Sequence, residues 1–188
     1  MTISNLQNFI PTIRGLSHDE LNGSASLFEK MRTAQDVKIQ VCYAPFEYLN
    51  PQARLVIVGI TPGKTQMVNA IREARKQLDM GSSPLQALIA AKLTGAFSGA
   101  MRPNLVAMLD QVGVHRWLGL TSSAELFGQA SHLLQTASVL QNPVFLSDGT
   151  NYNGAPNMTK SVVLMEQLMN GFGRSAAGWR FVCHQYVN

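Results

Sequence analysis

One stretch near the middle of the chain runs from an apolar segment directly into a turn of glycine and proline. Residues 55–58 (LVIV) are consecutive apolar residues, which is the pattern of a strand buried on both faces. Residues 59–63 (GITPG) interrupt that strand, and residues 64–78 contain helix formers without Gly or Pro. Ligands of open α/β sheets bind beyond the carboxyl ends of the strands, close to helix N-termini. The 59–63 loop is therefore the expected centre of a functional site.

The remaining apolar patterns predict strands that alternate with helices. Strands are expected at residues 38–44, 55–58, 143–147 and 179–183, and helices at 17–33 (with a break at Gly23), 64–78, 83–92, 103–112, 123–134 and 159–169. Residues 1–20 mix Pro, Gly and scattered apolar side chains, which indicates a loosely packed lead-in. This order predicts an α/β fold, a three-layer α/β/α sandwich with a mostly parallel central sheet.

The length and composition predict one domain over residues 1–188, because 188 residues with 46% hydrophobic content can bury one sizeable core. No apolar run approaches the roughly 20 residues that span a bilayer, and the amino terminus lacks a basic start, so a cytoplasmic protein without a membrane partner is expected. Cys42 and Cys183 both lie in strand-like segments and are expected to be reduced core thiols. No metal site and no cofactor are predicted.

The basic residues are concentrated in the middle of the chain. The net charge is +4, and residues 54–116 contain eight basic side chains against three acidic ones. This excess fits either solvated helix faces or a surface that contacts phosphates. The candidates for DNA-phosphate contacts are Lys64, Arg72, Arg75 and Arg102.

A nucleotide-binding P-loop is one alternative for the central loop. Gly63-Lys64-Thr65 after a strand is similar to the end of that motif. However, Gly59 stands four residues before Gly63 where the motif requires five. Pro62 also removes an N–H from a loop that binds phosphate through its N–H groups. The P-loop therefore stays the weaker alternative.

Two segments together resemble the uracil-DNA glycosylase superfamily. Residues 58–63 (VGITPG) resemble its first motif, a strand that ends in Gly-x-Asn-Pro-Gly or Gly-Glu-Ala-Pro-Gly, and residues 97–105 (FSGAMRPNL) resemble its aromatic-x-Gly segment with the following helix. In that family the aromatic residue, Phe97 here, stacks on an extruded base. The 143–147 strand falls where the family has a strand whose end supplies a base-reading Asn, for which Asn151 and Asn153 are the candidates. The resemblance runs in order from residue 38 to residue 183.

The resemblance implies a set of site residues. The expected substrate-binding residues are Gly59, Ile60, Pro62, Gly63, Phe97, Asn151, Tyr152 and Asn153, and the expected catalytic residues are Thr61 and His184. Thr61 occupies a position where active members carry a residue that orients or activates water, and a threonine hydroxyl can position water but not deprotonate it. No His-Pro-Ser motif and no final strand of the family are identified in the sequence, so a diverged or C-terminally shortened member of the superfamily is expected, and His184 is the candidate replacement for that histidine. The four cysteines of the iron–sulfur branch are also absent.

These features together predict DNA or nucleobase binding. If the protein is an active hydrolase of DNA repair, it would weakly hydrolyse the N-glycosidic bond of a flipped, damaged base in single- or double-stranded DNA. The alternatives are a catalytically inactive member of the superfamily that acts as a binding or interaction protein, and the P-loop-like nucleotide-binding protein.

Overall fold

The computed structural model describes residues 5–171, which form a mixed α/β fold. The helices are α1 Asn5–Arg14, α2 Ala25–Met31, α3 Lys64–Asp79, α4 Pro84–Gly95, α5 Met101–Gln111, α6 Val114–Leu118 and α7 Val162–Asn170. The strands are β1 Arg32–Gln35, β2 Ile39–Cys42, β3 Leu55–Gly59, β4 Leu134–Ser138 and β5 Val144–Leu146. Short 3₁₀ helices occupy Glu20–Asn22, Ser123–Phe127, Ser131–Leu133 and Met158–Lys160. None of the helices in this part of the chain is both long and apolar enough to cross a membrane.

The described strands form two small sheets. β3 and β4 pair in parallel, with Leu55 opposite Leu134 and Gly59 opposite Ser138. The other sheet has the order β1-β2-β5, and both of its pairings are antiparallel. A mixed α/β fold is thus present, but among residues 5–171 the parallel pairing is confined to β3 and β4. The predicted mostly parallel central sheet is not confirmed by these strands.

The main core lies where α1, α3 and α4 pack against β2 and the residues that follow it. Met67, Ile71 and Ala74 of α3 and Leu88 of α4 are almost fully buried there. α3 and α4 approach so closely at Gly95 that a Cβ added to it would lie 2.7 Å from the Ala70 Cβ. The position has room for a backbone but not for a side chain.

Alternate residues of β2 and β5 face two different cores. Cys42 and Phe145 belong to the main core, whereas Val41 and Val144 pack against Leu164 of α7 in a second cluster. β2 and β5 are therefore covered on both faces, whereas β1 is mostly exposed. Cys42 is a buried free thiol, and Cys183 lies outside the described residues.

The predicted strand and helix around the central loop are confirmed by β3 and α3, but β3 is not buried on both faces. Leu55 and Ile57 pack against a third cluster that contains Leu118, Leu126 and Leu134. Val56 and Val58, on the opposite side of the pleat, remain 37% and 45% exposed. The continuous apolar run predicts a strand covered on two faces, but the described residues cover only the face of Leu55 and Ile57.

Two other predictions differ from the structure. The prediction of a helix over residues 123–134 is wrong, because two 3₁₀ helices lead into β4 there. The sequence of β4, LQTAS, is too polar to have been recognised as a strand. The expected loose lead-in instead contains α1, in which Leu6 and Ile13 are fully buried and Phe9 stacks on Tyr43 at 4.1 Å between ring centroids. The strand predicted at residues 179–183 lies outside the described residues.

The close approach of α3 and α4 yields a stability prediction. Gly95→Ala places a methyl group 2.7 Å from the Ala70 Cβ and 2.9 Å from the Gln66 carbonyl oxygen, so the helices must separate. We expect the free energy of unfolding, measured by urea denaturation, to fall by about 1–3 kcal/mol. Gly15→Ala is the matched control, because its nearest new contact is 3.4 Å away. A Gly95→Ala protein as stable as the wild type would contradict this packing.

Candidate functional site

A cavity of about 290 Å³ opens at the carboxyl ends of β3 and β4. This is the site cavity, and its wall combines the central loop, the segment after α4, β4 and one residue of the 148–156 loop. Its lining includes Glu47, Gly59, Ile60, Thr61, Pro62, Gln66, Lys92, Phe97, Gln135, Thr136, Ala137, Ser138, Gln141 and Tyr152. The volume is at the lower end of the roughly 300–1,000 Å³ typical of small-molecule sites. Among the predicted substrate-binding residues, Gly59, Ile60, Pro62, Phe97 and Tyr152 are brought together here.

Phe97 forms one wall of the cavity with a strained backbone. Its φ is +53°, a left-handed conformation that residues with a side chain adopt at a cost of about 1–2 kcal/mol. A Cβ on Gly59 would lie 3.8 Å from the Phe97 ring, so the ring is next to the end of β3. The Phe97 N–H donates to Gln66 Oε1 of α3 at 3.1 Å, which helps to hold this conformation. Strain of this kind tends to be kept at functional positions.

The hydroxyl of Thr61 connects the central loop to the segment that leads into β5. Thr61 Oγ1 donates to the Asn142 carbonyl at 3.0 Å and accepts from the Val144 N–H at 3.1 Å. The hydroxyl hydrogen is thereby committed to a backbone carbonyl. Thr61 lines the cavity, but this geometry favours an anchoring role over the predicted catalytic one.

Asn151 is placed at the start of α3 rather than against the cavity wall. Its Oδ1 accepts from the Lys64 N–H at 2.9 Å, and a Cβ on Gly63 would lie 3.3 Å from the same oxygen. Asn151 therefore caps α3 from a distant loop, since Gly63 has no side chain to do so. Asn153 is exposed and accepts from the Ala155 N–H at 3.3 Å. Neither residue is part of the cavity lining, and their predicted base-reading role has no support in this geometry.

Tyr152 is the residue of the 148–156 loop that reaches the cavity. The side chain is 4% exposed, and its hydroxyl donates to the Pro156 carbonyl at 2.6 Å. Burial raises the pKa of this phenol, so it stays a neutral donor near neutral pH.

Residues of β4 and α4 were missed by the sequence analysis. Thr136, Ala137 and Ser138 reach the cavity because β4 runs beside β3, and the polar positions of LQTAS were the available signal. Lys92 of α4 is only 7% exposed, and its ammonium donates to the Tyr48 carbonyl. Burial lowers the pKa of Lys92 to about 7, and the Glu47 charge opposes that shift. Glu47 accepts from the Tyr43 hydroxyl at 3.0 Å.

The four basic candidates make intramolecular contacts, and none of them lines the site cavity. The Arg72 guanidinium donates to the Leu21 carbonyl at 2.5 Å, and Arg75 pairs with Asp79 at 3.1 Å. Arg102 donates to three carbonyls at the end of α4, and Lys64 lies 5.0 Å from the centre of the Phe28 ring. Because these side chains already contact other groups of the protein, structural roles are favoured. The DNA-phosphate contacts stay a prediction.

His184, the other predicted catalytic residue, lies outside the described residues. Within residues 5–171, no group of three or more His, Cys, Asp or Glu side chains is placed to hold a metal ion.

Comparison with known proteins gives a relative whose name states no function. The chain is 40% identical over 146 residues to the uncharacterized protein YoxB of Bacillus subtilis (strain 168). The match covers 77% of this chain and 57% of YoxB, so the chain spans less than two thirds of that relative's length. No family model matches the chain, and no solved structure matches it.

The anchoring role of Thr61 can be tested by removing its hydroxyl. Thr61→Val leaves the Asn142 carbonyl and the Val144 N–H without their partner. We expect the free energy of unfolding to fall by about 1–3 kcal/mol in urea denaturation. Thr65→Val is the matched control, because Thr65 is exposed on α3. Equal stabilities of the two variants would show that the hydroxyl does not anchor the loop.

The buried amine of Lys92 predicts a pH dependence of stability. The folded-state pKa of about 7 lies below the ordinary value of 10.5, so the unfolded state binds more protons between these values. Stability should therefore rise with pH across this window, and the burial penalty is fully present below pH 7. We expect the free energy of unfolding of Lys92→Met, measured by urea denaturation from pH 6.5 to 10, to rise less with pH than that of the wild type. The same slope in both proteins would contradict a depressed pKa.

Proposed function

We propose that this chain binds a single nucleobase, extruded from DNA, in the site cavity. The observation that carries the proposal is the position of Phe97, whose strained backbone sets an aromatic ring beside the Gly59 end of β3. Bases that leave a DNA stack are commonly held by aromatic rings and by polar groups that reach their edges. The Ser138 hydroxyl and the Gln141 amide are polar groups of the same cavity lining. The Gln66 and Gln135 amides also line it, but their oxygens accept from the Phe97 and Asn50 N–H groups.

The finer fold proposal is a three-layer, uracil-DNA glycosylase-like domain. It is supported by the parallel β3–β4 pair, by the loop and helix that follow β3, and by helical cover on both faces of β2 and β5. The resemblance of residues 58–63 and 97–105 to that superfamily supports the same assignment. A soluble, cytoplasmic protein of DNA repair is the corresponding biological proposal.

The proposed reaction is slow hydrolysis of the N-glycosidic bond of uracil or hypoxanthine. The Thr61 hydroxyl donates its hydrogen to the Asn142 carbonyl, so that hydrogen is not available to orient an attacking water. The same observation favours the second candidate function, a binding protein of this superfamily without catalysis. Nucleotide binding by a P-loop is disfavoured, because Asn151 already accepts from the first N–H of α3 that would face a phosphate.

Alanine substitution of Phe97 tests the proposal. Stacking on an aromatic side chain is worth about 1–3 kcal/mol per base, so Phe97→Ala should weaken binding by about fivefold to 150-fold. The measurement is fluorescence anisotropy with single-stranded oligonucleotides that contain one uracil or hypoxanthine, beside undamaged DNA. Trp117→Ala is the control, because Trp117 is a 51% exposed aromatic residue outside the cavity.

A glycosylase assay on the same oligonucleotides, single- and double-stranded, separates the two functions. Strand breakage after alkali, lost in Phe97→Ala, supports hydrolysis, whereas damage-specific binding without breakage supports the binding protein. If uracil- and hypoxanthine-containing DNA bind no better than undamaged DNA, the nucleobase proposal is wrong.

A further inference from the structure

The side chain of Lys92 lies between two cavities. It lines the site cavity, and it also lines an adjoining cavity of about 380 Å³ formed between the 48–52 segment, α4 and the start of β4. Ala96, Gln135 and Thr136 are shared by the same two linings. Lys92 is thus a buried amine that borders the site where Phe97 and Ser138 lie.

The surroundings of Lys92 disfavour a permanent positive charge. An ammonium group has three N–H donors, and the Tyr48 carbonyl is the acceptor that Lys92 reaches. None of the ion pairs among residues 5–171 includes Lys92. The titratable groups of the two linings are Glu47 and Tyr152 on one side and Tyr48 and His132 on the other. Glu47 favours the charged amine, but burial outweighs it.

A desolvated lysine of this kind has a characteristic chemistry. The neutral amine carries a lone pair that can attack an aldehyde carbon. The amine and the aldehyde form a C=N bond and release the carbonyl oxygen as water, with two hydrogens from the amine. No oxidant, reductant or metal is required. Lysines that form Schiff bases are commonly placed in such surroundings.

We propose that Lys92 is a nucleophilic amine of the site cavity, and that its substrate class is a sugar aldehyde such as the ring-opened deoxyribose of an abasic DNA site. The choice of DNA rests on the proposed function, because removal of a base from DNA leaves a sugar whose C1′ opens to an aldehyde. The attack by Lys92 Nζ on C1′ would form a covalent protein–DNA imine. Such an imine is reversible in water and becomes permanent when borohydride reduces its C=N bond.

Borohydride trapping on the full chain tests this inference. Wild-type protein is incubated with an oligonucleotide that contains one abasic site, sodium borohydride is added, and the cross-linked product is quantified and mapped by mass spectrometry. Lys92→Arg keeps the positive charge but removes the nucleophile, so trapping should fall at least tenfold. Lys76→Arg is the matched control, because Lys76 is an exposed lysine of α3, and trapping should be unchanged. Thermal unfolding of each variant verifies that it is folded.

A second arm uses glycolaldehyde in place of DNA and maps the reduced adducts. Modification of Lys92 ahead of the exposed lysines by both probes supports the inference. Modification of Lys92 by glycolaldehyde alone supports the nucleophilic amine but overturns the assignment to an abasic DNA sugar, and the binding assay then decides the proposed function separately. Equal trapping by wild type and Lys92→Arg, or no preference for Lys92 with either probe, overturns the inference and leaves the binding assay to decide the proposed function independently.

Discussion

The parallel pairing of β3 with β4 is the constraint on which the site depends. Because Gly59 is opposite Ser138, both strands end at the same level, and the loops beyond them meet around one cavity. The pairing continues past the strands: the Val139 N–H donates to the Gly59 carbonyl at 2.9 Å, and the Leu140 N–H donates to the Ile60 carbonyl at 2.8 Å. A shift of one residue in this register would exchange the exposed and buried faces of β4 and remove its polar groups from the cavity.

The helices position the other half of the site. The small residues at the contact between α3 and α4 let the two backbones approach, and the end of α4 therefore lies against Gln66 of α3. From that point the chain turns through Phe97, while Lys92 lies one turn earlier on the same helix. The aromatic wall and the buried amine are consequently fixed by the same helix–helix contact.

The sequence predicted β3, the loop after it, α3 and the part of the lining made by Gly59, Ile60, Pro62, Phe97 and Tyr152. β3, its loop and α3 were accessible because strand, turn and helix follow one another within about 25 residues, where local pattern and propensity decide. Phe97 and Tyr152 were expected from the family resemblance instead. β4 was not predicted, because its position comes from pairing with a strand about 80 residues away and its polar residues resemble a loop. The capping role of Asn151 and the burial of Lys92 are likewise long-range contacts, which no local pattern specifies.

The cap that Asn151 provides has a consequence for how the cavity and α3 behave together. Asn151 precedes Tyr152, so the residue that holds the first turn of α3 is joined by one peptide bond to a residue of the cavity wall. A ligand that displaces Tyr152 must strain or break that cap, and loss of a helix cap typically costs about 1 kcal/mol. Occupancy of the cavity and fraying of the first turn of α3 are therefore thermodynamically linked, and each should alter the other by the same free energy. The exchange rates of the amide hydrogens in that turn would report this linkage directly.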